Sequence, residues 1–161
     1  MTSALYPGSF DPVTKGHVDI AQRAAGLFDK ITIAVYDAPP KQLLFTTEQR
    51  VDMMKKAVAH IKNAEVISYS TLTIELARKI GAKVMIRGLR MGSDFDYEFE
   101  MSLMNRKLDP EIDTVCLMTS QEYEFVSSSL IKEAAKLGGA LNEFVPEHVA
   151  YALRVKYGLD K

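Results

Sequence analysis

The sequence contains one cysteine, Cys116, so it can build neither an intrachain disulfide scaffold nor a metal site made of thiolates. Set in the apolar run TVCLM, Cys116 reads as a small buried hydrophobe. Net charge is nearly absent too, since 20 basic residues against 21 acidic ones leave −1. Nucleic-acid and membrane-surface binders usually carry a basic excess, so neither class fits. Any polyanion this chain binds must be small and met by a local cluster of cations. The start, MTSALYPG, lacks both a basic segment and a long apolar one, which speaks against a signal peptide. No apolar stretch approaches the ~20 residues that cross a bilayer, and the expected location is the cytoplasm. The histidines, at 17, 60 and 148, lack metal-ligand spacing, so no metal cage built by the protein alone is expected. Internal repeats, low-complexity tracts and linkers are also missing. The 161 residues, 47% of them hydrophobic, suit a single domain over 1–161 with a sizeable core.

What is present is an alternation. The runs SALYP (3–7), KITIAVY (30–36), AEVIS (64–68), AKVMIRG (82–88) and TVCLMT (114–119) read as strands. Between them, helical patterns fall at about 16–28, 46–60, 71–80, 94–107 and 127–137, with a last one at about 146–157. Thr46 and Gln49 suit a capping box, and Gly138-Gly139 ends the fifth helical pattern. This order predicts an α/β fold: one Rossmann-like, doubly wound domain with a five-stranded parallel sheet. Ligands of such sheets bind beyond the carboxyl ends of the strands. There the sequence places Gly8, Ser9 and Thr14 to His17, then Lys41, then Arg87 and Arg90 in RGLR, then SQEYEFVSSS.

The stretch YPGSFDPVTKGHVDI (6–20) sets a glycine turn between a strand and a helix. Gly8 lets the backbone approach a ligand, Asp11-Pro12 favours a turn, and Thr14 suits an N-cap. His17 then falls in the first helical turn, where unpaired amides and the helix dipole favour negative charge. The corner matches neither the dinucleotide fingerprint nor the Walker pattern. By spacing alone it is either a phosphate site or an ordinary strand-to-helix turn with an exposed histidine.

T-K-G-H at 14–17 resembles the [HT]-x-G-H signature of the nucleotidylyltransferase superfamily, and VSSSLIK at 126–132 resembles its I-S-S-[ST]-x-x-[RK] signature. With YPGSFDPVTKGH, IRGLR, DFDYE and EFVSSS in order from about residue 3 to 137, the chain resembles the bacterial phosphopantetheine adenylyltransferase family. That resemblance implies transfer of an adenylyl group from ATP to 4′-phosphopantetheine, giving dephospho-coenzyme A and pyrophosphate. It implies Mg2+ accompanying ATP, coenzyme A and dephospho-coenzyme A as inhibitor or product ligands, and a homohexamer.

The resemblance also implies site residues. His17, Lys41 and Arg90 are the expected catalytic group: His17 donates to an α-phosphate oxygen, and Lys41 bridges the two reacting phosphates. The ATP side is expected to comprise Ser9, Phe10, His17, Gly88, Leu89, Arg90, Glu98, Tyr123, Glu124, Phe125, Val126, Ser127, Ser128 and Ser129. The acceptor side is expected to comprise Ser9, Lys41, Thr73 and Arg87. Two departures stand out: serine at 9, where the family often has threonine, and Tyr123, where relatives often carry tryptophan. A surface ion pair of Arg87 or Arg90 with Asp94 or Glu98 is the plainer alternative for those cations.

Sibling nucleotidylyltransferases share the T-K-G-H corner, but RGLR and Lys41 argue against them. A regulatory module that has lost catalysis is opposed by intact His17, Lys41 and Arg90, and a flavodoxin-like carrier leaves the basic strand tips unexplained. The pattern DFDYEFEMSLMNRKL raises a separate matter. Phe95, Phe99 and Leu103 share one helix face, while Tyr97, Met101, Met104 and Leu108 line nearly the opposite one. One stripe suffices to pack on a sheet. The other must be covered by the chain's own C-terminal segment or by another subunit.

Overall fold

The computed structural model describes residues 2–40 and 42–159, the side chain of Ser93 excepted. Strands β1 (Ser3–Gly8), β2 (Lys30–Tyr36), β3 (Ala64–Tyr69), β4 (Val84–Leu89) and β5 (Asp113–Met118) form one sheet in the order β3-β2-β1-β4-β5. Every pairing is parallel. Helices α1 (Lys15–Ala25), α2 (Thr47–Ala57), α3 (Thr73–Lys79), α4 (Gly92–Leu108), α5 (Ser128–Lys136) and α6 (Glu147–Lys156) connect or follow the strands.

Strand periodicity sorts the core onto two faces. Ala4, Tyr6, Ile31, Ile33, Val35 and Ile86 point into one buried cluster with Ile20, Met54, Val149 and Leu153 from α1, α2 and α6. The intervening Leu5, Ala34 and Met85 point the other way, against Ile74, Leu76 and Ala77 of α3. The central strands are therefore covered on both sides, which is why their sequences are continuous apolar runs.

Two local signals position the ends of helices. Thr46 caps α2 through a reciprocal box with Gln49. Thr14 caps α1 by a box of the same form, but the third helical position is His17 instead of glutamate or glutamine. The sheet changes direction at β1, flanked by β2 on one side and β4 on the other. At such a point the connections diverge and leave a crevice above the strand ends.

Two expectations need correction. Cys116 is exposed. It lies on β5, the sheet edge, which pairs on one side only, to β4. And α4 does not use one apolar stripe for packing: Phe95, Tyr97, Phe99, Leu103, Met104 and Leu108 are all roughly half exposed, between 47% and 59%. The C-terminal helix cannot cover them, because it packs on α5 and the first core cluster.

Candidate active site

The carboxyl ends of β1 and β4 open into two adjoining cavities. The first, of about 310 Å³, is bounded by the β1–α1 corner, the end of β4, the first turns of α4 and the start of α5. The second, of about 510 Å³, lies between the β1 end, the β2–α2 loop, α3 and the middle of α4. Pro7, Gly8, Ser9, Arg87 and Glu98 line both and form the wall between them.

In the corner, the Thr14 amide donates to His17 Nδ1 at 3.0 Å, and the His17 amide donates back to Thr14 Oγ1 at 3.3 Å. An amide can only donate, so Nδ1 is an acceptor and the neutral ring carries its proton on Nε2. The capping box thus settles the tautomer. Phe10 meets the His17 ring edge-on at 5.1 Å and the Tyr6 ring at 5.3 Å, which fixes the imidazole's plane. Phe10, not a glycine, takes the left-handed backbone of this turn, with φ of 47°. Gly8 matters for a different reason than turning: a Cβ there would sit 2.7 Å from Phe10 Cζ. The first turn of α1 carries no acidic residue, so the dipole's positive end is uncompensated.

Arg87 grips Glu98 with a two-pronged pair, Nε to Oε2 and Nη2 to Oε1, both at 2.7 Å. Its third arm donates to the Pro7 carbonyl at 3.0 Å. Burial alone would lower this guanidinium, but the Glu98 carboxylate outweighs it and holds the group above its usual value. Arg90 pairs with Asp94 through Nε at 2.9 Å and Nη2 at 3.1 Å, and donates to the Val126 carbonyl at 3.3 Å. The ion pairs read as the plainer alternative for these arginines are therefore present, and both lie on the cavity lining. Burial pushes the Tyr6 phenol far above its ordinary value, so it serves the wall as a neutral ring.

At α5, Ser127 is the N-cap and accepts from the Leu130 amide at 3.1 Å. Ser128 donates to the Pro12 carbonyl at 2.8 Å, tying α5 to the corner. Ser129 lines the first cavity, together with Tyr123, Val126, Gly88 and Thr119. Of the remaining residues expected on the nucleotide side, Leu89, Glu124 and Phe125 are not on that lining; Phe125 packs edge-on against Phe144 at 5.5 Å. In the second cavity Thr73 accepts or donates a 2.9 Å bond with Tyr69, and Tyr69 lies against Tyr36. Lys41 lies outside the described residues.

Of the inward face of α4, sequence reasoning singled out Glu98 as a site residue but not Asp94, Ser102 or Asn105. Asp94, Glu98, Ser102 and Asn105 recur at helical spacing, and each lines one or both cavities. This helix turns that polar stripe, with Tyr97 and Met101 beside it, toward the cavities, while Phe95, Phe99, Leu103, Met104 and Leu108 stay about half exposed. The signal was there in the sequence, as one polar stripe between two apolar ones. Also missed were the buried side chains beneath the corner, Asp11 and Arg50.

A parallel sheet with a phosphate-type corner at its switch point and a second helix N-terminus facing it defines a nucleotide-handling α/β protein. Residues 5–134 match the family described as cytidylyltransferase-like, and the chain belongs to that family. Within it, the similarity is to phosphopantetheine adenylyltransferases. The one from Herpetosiphon aurantiacus is 50% identical over 157 residues, covering 98% of this chain and 95% of that protein. The one from Synechococcus sp. (strain JA-3-3Ab) is 53% identical over 156 residues, with 97% and 98% covered. Among solved structures, a Vibrio parahaemolyticus protein assigned as a nicotinate-nucleotide adenylyltransferase superposes with a TM-score of 0.71 at 15% identity. It spans 100% of this chain and 98% of its own, and establishes the shared fold.

Proposed function

We infer that this protein transfers the adenylyl group of ATP to 4′-phosphopantetheine, giving dephospho-coenzyme A and pyrophosphate. The observation that carries this reading is the full-length similarity to phosphopantetheine adenylyltransferases at about half identity. The paired cavities support it, since the reaction needs two polyanions side by side.

In this reading, ATP occupies the first cavity and the acceptor the second. The attacking oxygen belongs to a phosphate monoester whose second pKa is about 6, so it is largely ionised at neutral pH and requires no protein base. That oxygen forms a bond to the α-phosphorus in line with the departing group, the bond to the β-phosphate oxygen breaks, and pyrophosphate leaves. His17 Nε2–H donates to the α-phosphate oxygen on which charge builds. The α5 N-terminus and its serines hold the β- and γ-phosphates, Tyr123 covers the base, and Arg90 spans the triphosphate. Lys41 and Arg87 take the acceptor phosphate, with Thr73 farther along its arm. To receive anions, Arg87 and Arg90 exchange part of their carboxylate pairing for phosphate oxygens.

Mg2+ is the expected companion of ATP, and the donor set fits an ion borne by the nucleotide. Among the described residues no cluster of His, Cys, Asp or Glu could hold a metal by itself. The cavity carboxylates Asp11, Asp94 and Glu98 are each paired with a cation. Triphosphate oxygens and water would therefore supply the ligands, and the ion would neutralise charge on the phosphates.

The whole chain is read as one catalytic domain acting in the cytoplasm, in keeping with a biosynthetic role. Among the described residues no helix is long and apolar enough to cross a membrane. The exposed side chains of α4, with Met118 of β5, favour self-association over coverage within the chain, and the family resemblance gives six copies. Coenzyme A, which contains the product, would occupy both cavities as an inhibitor.

The test is turnover of the pure protein with ATP, Mg2+ and a panel of phosphorylated acceptors. Pyrophosphate release with phosphopantetheine is expected. Release only with nicotinamide mononucleotide or glycerol phosphate would overturn the acceptor.

A further inference from the structure

Arg50 is the largest side chain buried completely, at 0% exposure. Its direct hydrogen bonds go to backbone carbonyls and one hydroxyl, while Asp11, Asp37 and Glu48 act on its charge without bonding it. Nη1 donates to the carbonyls of Ser9 and Tyr36, at 2.8 and 2.7 Å. Nη2 donates to the Asp37 carbonyl at 3.2 Å and to Thr47 Oγ1 at 2.9 Å, and Nε to the Phe45 carbonyl at 3.3 Å. Burial still costs this charge more than the Asp11, Asp37 and Glu48 carboxylates return, and a methionine would fill similar space without that penalty. What a methionine lacks is the fork. The planar guanidinium fixes three separate pieces of chain at set distances: the β1–α1 turn, the end of β2, and the entry to α2.

Asp11 repeats the same linkage from the opposite side. Also buried, it accepts from the Leu44 and Phe45 amides at 2.9 Å each, and from Lys132 of α5 at 2.9 Å. Residues 37 to 45 are thereby tied at both ends to the turn at Ser9 to Asp11. That loop contributes Pro39 and Pro40 to the second cavity, and Ser9 contributes to the wall between the two cavities. Arg50 itself lines neither.

We propose that Arg50 is a positioning residue for the acceptor, setting the separation between the Pro39-Pro40 side of the second cavity and the Ser9 wall, and so the placement of the incoming phosphate. The inference rests on the reaction assigned above. It makes acceptor recognition depend on a side chain that never meets the acceptor, while the nucleotide side, framed by α1, β4 and α5, is left nearly unchanged.

Two variants test it in the full-length protein. Arg50→Lys keeps the charge but has one nitrogen and cannot span Ser9, Tyr36 and Asp37 together. Thr47→Val removes one acceptor of the fork, together with the hydroxyl's donation to the Asp37 carboxylate, at a half-buried position on α2. The expected result is a rise of about tenfold in the KM for phosphopantetheine with Arg50→Lys, and about threefold with Thr47→Val. ATP affinity, measured by calorimetry without acceptor, stays within about twofold in both. If both substrates weaken together, or if only the melting temperature falls, the role is structural and the proposal fails. If Arg50→Lys does not fold, Thr47→Val decides, and an unchanged acceptor KM overturns the proposal. Parent protein that does not turn over phosphopantetheine overturns the reaction itself, and this inference with it.

Discussion

The histidine of the corner does two jobs with its two nitrogens. Nδ1 closes the helix cap on the Thr14 amide, and that bond leaves the proton on Nε2. The jobs can be separated by substitution. Glutamine is the usual third residue of a capping box, so His17→Gln retains the cap and loses the imidazole donor. Its melting temperature should match that of the parent, while kcat falls by roughly 10²–10³. His17→Ala should lose a similar factor in kcat and also destabilise the fold by about 1 kcal/mol. Equal turnover in parent and glutamine variant, measured as pyrophosphate release, would remove the imidazole from the mechanism. The corner was legible in sequence because T-K-G-H is a local pattern whose residues meet within one helical turn. The roles of Asp11 and Arg50 were not, since Asp11 bonds residues 33, 34 and 121 positions away and Arg50 reaches Ser9, 41 positions back.

At the scale of the element, α4 is the unusual piece. Glu98 is its one buried side chain among those described, and its inward stripe runs Asp94, Glu98, Ser102, Asn105. A helix that faces ligands instead of a dry core has reason to be polar inside. Periodicity located the strands and helices well, because the central strands bury both faces and the helices carry cap residues at Thr14, Thr46 and Ser127. Periodicity failed for α4 because an apolar stripe is read as packed inward, and here Phe95, Phe99 and Leu103 stay about half exposed while the polar stripe lines the cavities. The N-terminal turn of this helix has a pH signature. Burial would raise the Asp94 carboxyl, but the Arg90 side chain and amide hydrogen bonds outweigh it and hold it below its ordinary value. Because its folded value is depressed, the pair stabilises the protein above the unfolded carboxyl's pKa of about 4 and is lost as pH falls through the lower folded value. Asp94→Asn should therefore lower stability by about 0.5–1 kcal/mol at pH 7, and the difference from the parent should vanish in acid. Denaturant titrations at pH 7 and below pH 4 would check both halves. A gap that persists in acid would contradict the assignment.

At the scale of the whole molecule, the outer surface of α4 carries several exposed apolar side chains, and Met118 on the edge strand β5 is another. Phe95 and Phe99 stack on each other at 5.8 Å, Leu103, Met104 and Leu108 continue the helix, and Met118 is 74% exposed. Exposed apolar surface of this extent marks an interaction site in soluble proteins. If the proposed self-association runs through this face, Leu103→Glu should lower the particle mass in light scattering and leave the monomer fold intact, since Leu103 is about half exposed. A particle mass identical to the parent's would place the contact elsewhere. Cys116 shares this edge, so its reaction with a thiol reagent should be slow in the parent and fast in Leu103→Glu.

Arg87, Glu98 and the segment Pro7 to Ser9 line both cavities at once and divide them. Guests that share the same lining residues are expected to influence one another's binding. A phosphate that draws Arg87 from Glu98 alters the electrostatics its neighbour meets, and linkage requires the factor to be the same in both directions. Cooperativity between the two reactants is the expected consequence of that shared divider.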